Sequence, residues 1–345
     1  MSDFRTVAGF EEAWRPPVRS RHLAPQAVLR PGPAEAVRAR LIRLANRAPE
    51  VMVKVTGRTR DPAHLRAHLD YISRNGALEL EGRDGAFVVG RGEVQELAMA
   101  WTTAQLADRG TRSDAPFSHS LVLSMPAGTD PVALRDAARA FAVDVFARGH
   151  DYVFTLHTDT PRPHVHLSIC SRGDAGQRLN PKKADLELWR QVFAERLRER
   201  GVEAEATPRR ARGVTRKAER GPVARMRRRH EAGQGSPSRV ARSALGEAAR
   251  VAFGAPAPRP VWEDRLLDRQ RRVRGLYLAQ AKLLQASSAR EDRVLGARVE
   301  AFVREMPQPD TQRLALARLL RESARTRDGA AADRTGADRG RDRSR

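Results

Sequence analysis

Three of the nine histidines in this 345-residue chain, His157, His164 and His166, fall within ten residues of one another. His164 and His166 flank Val165 and lead into Leu167, Ser168, Ile169 and Cys170, small and apolar residues that read as a strand. On a strand, positions i and i+2 share a face about 6.8 Å apart, so two imidazoles can converge on one ion. His157 closes an earlier β-like run, Tyr152 to Leu156, and Pro161 and Pro163 mark a turn that brings the second strand back beside it. Three neutral imidazole nitrogens on adjacent strands cap one side of a divalent cation and leave its other positions open to substrate. The plainer reading is three core histidines with satisfied hydrogen bonds; the crowding and spacing favour the metal.

A second candidate lies upstream. Asp61-Pro62 is a helix-opening pair, and Asn75-Gly76 ends the segment just beyond Arg74. Within it Leu65, Leu69 and Ile72 share one face, which must be the buried one. Tyr71 stands about 120° from that face, on a flank with His68 and close to His64. A rim tyrosine covering the core is the ordinary explanation. A nucleophile is the chemical one, and a phenol, with its reference pKa of about 10, then needs a base or a cation close by.

These residues need a scaffold, and residues 50–207 read as one. Val51–Val55 is strand-like, two short strands surround Gly82 and Gly85, a helix covers Val94–Ala107, and Ser118–Ser124 is a strand. Thr129-Asp130-Pro131 opens a helix with Leu134, Ala138, Phe141 and Val145 at core spacing, and Leu186, Trp189, Phe193 and Leu197 stripe another. The fold class is therefore α+β, an antiparallel-leaning central sheet with helices packed on it. The expected organisation is a basic, partly disordered arm over 1–49, an α+β domain over 50–213, a basic linker over 214–260, a helical region over 261–325 and a disordered arginine-rich tail over 326–345.

The charge balance names the partner class. Against 42 acidic residues stand 64 Lys and Arg, a formal net charge of +22, which suits a polyanion and above all a nucleic-acid backbone. From Pro208 to Arg229 the arginines crowd, Arg209, Arg210 and Arg212 among them, and such a segment can track phosphates even when unfolded. No apolar run is long enough to span a bilayer, so no membrane insertion is expected. The start lacks a secretory apolar region, and Cys170 is the one cysteine, which rules out intrachain disulfides and thiolate zinc clusters. A cytoplasmic location is the expectation.

Taken together, several segments resemble the mobilisation relaxases, strand-nicking enzymes of conjugative DNA transfer, and most closely the subgroup containing the T-DNA border endonuclease. The matching pieces are Leu69-Asp-Tyr71-Ile-Ser-Arg-Asn-Gly-Ala-Leu-Glu-Leu80, His119-Ser-Leu-Val-Leu-Ser-Met-Pro-Ala-Gly-Thr129, His157-x-Asp159-x4-Pro163-His164-x-His166 and Arg210-Ala-Arg-Gly213. The histidine–hydrophobe–histidine motif alone is only moderately specific; the set in this order is much more so.

The resemblance implies that His157, His164 and His166 hold Mg²⁺ or Mn²⁺, with Zn²⁺ left open by the nitrogen donors, and that Tyr71 attacks a phosphodiester to give a 5′-phosphotyrosyl protein and a free 3′-hydroxyl. Asp159 would orient a ligand histidine or accept the tyrosine proton, and Ser73, Arg74 and His119 would contact phosphates. The implied partners are single-stranded and duplex DNA at an origin of transfer, a coupling protein and accessory relaxosome proteins, with export of the DNA-bound chain to a recipient cell. The alternation of arginines from Arg339 to Arg345 is similar to the export tails of such substrates.

Two other accounts compete. A replication initiator of the same superfamily characteristically places its nucleophile after the histidine pair, where this chain offers only Tyr277. A non-catalytic DNA-binding accessory protein would bind DNA without regard to metal or Tyr71. A two-histidine phosphoesterase needs a second His-x-Ser/Thr beside His166-Leu-Ser168, and the chain has none.

Overall fold

The computed structural model describes residues 4–15, 34–108, 114–216, 219, 221–254 and 259–341, with side chains described as far as residue 326. The first compact unit comprises Trp14–Pro208 and Leu283–Val299, with the first residues of the chain; the second comprises Val7–Ala13, Arg209–Lys282 and Glu300–Arg345.

The first unit is built on an open six-stranded antiparallel sheet. Its strands are β1 (Met52–Thr59), β2 (Leu80–Gly82), β3 (Phe87–Val88), β4 (Ser118–Ser124), β5 (His150–His157) and β6 (His164–Gly173), in the spatial order β1-β4-β6-β5-β2-β3. Strand alternation gives the sheet two different faces. On β6, Val165, Leu167 and Ile169 point to one side and join Leu121, Leu123, Tyr152 and Phe154. That side is covered by two helices, Pro131–Phe146 and Lys183–Arg198, through Leu134, Phe141, Phe146, Trp189 and Phe193. Full burial of each such side chain contributes about 1.5–3 kcal/mol.

The opposite face carries His164, His166, Ser168 and Cys170 of β6. It is partly covered by helices Pro62–Ile72 and Gly90–Ala107, whose Leu65, Leu69, Ile72, Val94, Ala98 and Trp101 pack with Val153 and Cys170. In chain order the helices are α1 (Ala34–Ala45), α2 (Pro62–Ile72), α3 (Gly90–Ala107), α4 (Pro131–Phe146) and α5 (Lys183–Arg198). The result is the expected α+β sandwich, with helices on both faces of the sheet. β1 runs four residues beyond the expected Val55, because a register shift between Val55 and Gly57 lets the strand continue through a glycine and polar residues.

The second unit contains α6 (Gly221–Glu231), α7 (Arg239–Phe253), α8 (Val261–Gln285, as far as Lys282), the end of α9 (Arg290–Arg304) and α10 (Gln312–Arg341). Its aromatic centre is Tyr277, fully buried and met edge-on by Phe10 at 5.6 Å and Phe302 at 5.7 Å. Arg321 donates to the carbonyls of Val251 and Ala252, satisfying the end of α7.

Two sequence expectations are corrected here. Residues 214–260 carry α6 and α7 rather than a plain linker. Ser238 caps α7 by accepting the Ala241 N–H, and the alanine-rich stretch behind it favours helix over coil. The tail beyond residue 325 continues as helix to Arg341, since a nucleated helix extends at little cost. Residues 1–3, 16–33 and 342–345, parts of the expected arm and tail, lie outside the described residues.

Candidate active site

The site begins with α2. Asp61 caps it, its Oδ1 accepting the N–H of His64 at 2.7 Å, and Pro62 opens the first turn. Leu65, Leu69 and Ile72 are completely buried and fix the helix to the sheet, which leaves Tyr71 on the outer flank, 55 % exposed. Beyond α2 the backbone takes a left-handed path through three residues, Arg74 (φ 54°), Asn75 (φ 57°) and Gly76 (φ 85°). A Cβ at Gly76 would lie 2.3 Å from the backbone nitrogen of Arg91, so glycine is required there by space as well as by φ. Non-glycine residues at positive φ are uncommon, and here they aim Arg74 back over the sheet.

The three histidines come together as their spacing implies. His157 of β5 pairs directly with His164 of β6, and His166 lies two residues along on the same face. Their potential ligand atoms all lie within 4.8 Å of one another, so the trio can hold a metal ion. Two ring tautomers follow from the hydrogen bonds. Nε2 of His157 donates to the carbonyl of Ile72 at 2.7 Å, leaving the lone pair on Nδ1. Nδ1 of His164 donates to the carbonyl of Arg162 at 3.1 Å, leaving the lone pair on Nε2. Carbonyl oxygens that fix the tautomers of convergent imidazoles are what a metal site requires. Burial, followed by the other histidines, lowers the pKa of His166 to about 3, and burial lowers that of His157 against the opposing bond to Ile72. Both rings are neutral at neutral pH, the form that binds a cation.

Tyr71 stands beside this trio. Its ring meets His166 edge-on, centroids 5.7 Å apart. The guanidinium of Arg74 lies 5.6 Å from the Tyr71 ring centroid, donates to Nδ1 of His157 at 3.3 Å and pairs with Asp159. His68, three residues before Tyr71, shares a hydrogen bond with Ser120 at 2.8 Å beneath the site, and burial lowers its pKa to about 4. The other two tyrosines of the chain are unavailable, Tyr152 being 1 % and Tyr277 0 % exposed.

Not every candidate reaches the site. His119 is completely buried on the other face of the sheet, beside Leu121, with Nδ1 bonded to Ser171 at 2.8 Å, so it contacts no phosphate. Ser73 is also buried, and its hydroxyl serves the turn, donating to the Asp70 carbonyl and accepting the Gly76 N–H. Asp159 is bonded to Arg74 and to none of the three imidazoles. Arg209, Arg210 and Arg212 belong to the second unit, in a 3-10 turn where only Arg209 is exposed. Lys54 was not singled out from the sequence, although alternation with Val51, Val53 and Val55 already sets it on the side of β1 away from the main core.

This sheet, with an imidazole trio and an exposed tyrosine on one face, has counterparts among known proteins. Residues 71–202 match the family described as "Relaxase: MobA/VirD2-like, nuclease domain", and it is to relaxase nuclease domains that this stretch is similar. Among relatives, the T-DNA border endonuclease VirD2 of Rhizobium radiobacter is 29 % identical over a region covering 48 % of this chain and 43 % of its own. The VirD2 of Agrobacterium fabrum is 26 % identical, over 48 % of this chain and 41 % of its own. The chain thus spans well under half the length of these relatives. A solved structure described as "Molecular Basis of Vancomycin Resistance Transfer in Staphylococcus aureus" aligns with 47 % of this chain and 99 % of its own at 14 % identity, with a TM-score of 0.32.

Proposed function

We propose that this protein nicks one strand of DNA at an origin of transfer by transesterification through Tyr71, and remains attached to that strand while it is transferred. The observation that carries this reading is the placement of the one exposed tyrosine 5.7 Å, ring to ring, from His166 of the imidazole trio. The phenolic oxygen forms a bond to phosphorus as the bond to the 3′-oxygen breaks. Tyr71 gives up its proton and the departing 3′-oxygen takes one up. One ester replaces another, so rejoining needs no nucleotide cofactor.

His157, His164 through Nε2 and His166 would hold the divalent cation, which at His157 would take the Nδ1 lone pair in place of its hydrogen bond from Arg74. When bound, it would offset charge on the scissile phosphate. Nitrogen donors alone favour Zn²⁺ over Mn²⁺, whereas the oxygens that a phosphate adds suit Mg²⁺ or Mn²⁺, which we assign. Arg74 reaches the same space and offers a planar donor fork to a non-bridging oxygen. Asp159 acts through Arg74 by holding its guanidinium at the site. The coupling protein and the accessory proteins follow from the relaxase reading, supported by the likeness to the T-DNA endonucleases.

The test is a single-stranded oligonucleotide carrying the transfer origin of the parent element, incubated with the full chain and Mg²⁺ or Mn²⁺. Specific cleavage that a chelator stops supports the reading. Binding without cleavage under any divalent ion leaves a DNA-binding accessory protein.

A further inference from the structure

The route by which a strand passes the site can be read from the uncovered part of its face. α2 begins beyond the Thr59 end of β1, lies over β4 where His68 meets Ser120, and ends at β5 where His157 meets Ile72. At the opposite corner, where β1 begins beside a buried Ser124, Met52 and Lys54 stay exposed. Register places two rows across it: Met52, Ser124, His164 and His157 form one, and Lys54, Val122, His166 and Thr155 the next. Residues paired across antiparallel strands project from the same face. Lys54 therefore shares the face of the trio, two strands from His166, a backbone separation of roughly 10 Å.

Lys54 is exposed and has no hydrogen bond or ion pair among the described residues. Beside it Met52, 47 % exposed, offers an apolar surface to a sugar or base. A compact ammonium on a flexible stem suits one phosphate held as a point charge. Arg74 stands on the β5 side of the trio, and Lys54 supplies a cation on its β1 side.

We propose that Lys54 binds a phosphate of the single strand adjacent to the scissile one, so that the DNA crosses the sheet from the Arg74 side of the trio to the Met52–Lys54 corner. This rests on the reading of the trio and Tyr71 as a nicking site.

Fluorescence anisotropy of the full chain with a labelled thymidine homopolymer of about ten nucleotides tests it, titrated at several salt concentrations. Losing one phosphate contact on a single strand should lower the salt slope by about 0.7, equivalent to about a fivefold loss of affinity at 0.1 M salt. Lys54→Ala should show that loss and Lys54→Arg should retain most of the affinity. Lys183→Ala, which removes the same charge from α5 on the other face, should bind as the wild type does. Equal losses in Lys54→Ala and Lys183→Ala would reveal a general charge effect and overturn the assignment, as would an unchanged Lys54→Ala. A wild type that fails to bind the homopolymer would instead sink the nicking reading, and this proposal with it.

Discussion

The carbonyl of Ile72 accepts a hydrogen bond from Nε2 of His157 at 2.7 Å, so the residue following Tyr71 is fastened to a member of the imidazole trio. Because Ile72 is itself fully buried, the end of α2 cannot shift without disturbing either the core or that histidine. Tyr71 and the imidazole trio are thereby held in one frame although they are 86 residues apart in the chain, from Tyr71 to His157.

The turn after α2 should be as sensitive as the site itself. Gly76→Ala combines a left-handed φ with a Cβ 2.3 Å from the Arg91 backbone, so we expect destabilisation of about 1–3 kcal/mol. Nicking should fall further than unfolding explains, because Arg74 moves with the turn. Thermal unfolding alongside a cleavage assay checks both, and a variant equal to wild type in each would refute the account of this turn.

Metal affinity should depend on the trio and not on the corner beside it. In calorimetry with Mn²⁺, His164→Ala and His166→Ala should each weaken binding by at least roughly tenfold, while Lys54→Ala leaves it unchanged. Undiminished affinity in both histidine variants would place the ion elsewhere.

Asp159→Asn should keep the fold but loosen Arg74, because the carboxylate side chain is 53 % exposed and its partner is that guanidinium. A moderate fall in cleavage, matched by Arg74→Ala and not enlarged in the double variant, is the expected pattern. Independent, additive losses would instead assign Asp159 a separate task.

His119 makes stability pH-dependent away from the site. Burial, followed by Arg58 and His150, lowers its pKa from 6.5 to about 4. The unfolded chain therefore takes up a proton below pH 6.5 that the folded chain refuses until about pH 4. Its contribution to stability is complete above pH 6.5 and is lost as pH falls towards 4, on the order of 3 kcal/mol. His119→Asn, which can keep the bond to Ser171, should show a smaller fall in unfolding temperature between neutral and acidic pH. Parallel falls would contradict this.

Much of this arrangement was legible in the sequence for reasons that can be named. The alternation of His164 and His166 with Val165 and Leu167 shows which side of β6 is polar, and the Asp61-Pro62 pair marks the start of α2. What the sequence did not reveal depends on tertiary register. Ser73 and His119 lie within motif segments, yet one serves a turn and the other faces the buried side of β4. Lys54 lies outside any motif, and only strand pairing sets it in the row of His166. α7 was hidden because glycines and prolines around it suggested a linker, whereas Ser238 supplies a cap.

The most direct test of the central claim is to trap the protein–DNA adduct on a cleaved origin oligonucleotide and map the modified residue by peptide mass spectrometry, with Tyr71→Phe in parallel. The account predicts a 5′-phosphate on Tyr71, and in Tyr71→Phe no adduct but DNA affinity within about twofold of wild type, since only an exposed hydroxyl is lost. A covalent bond to any other residue, or an adduct that persists in Tyr71→Phe, would contradict it.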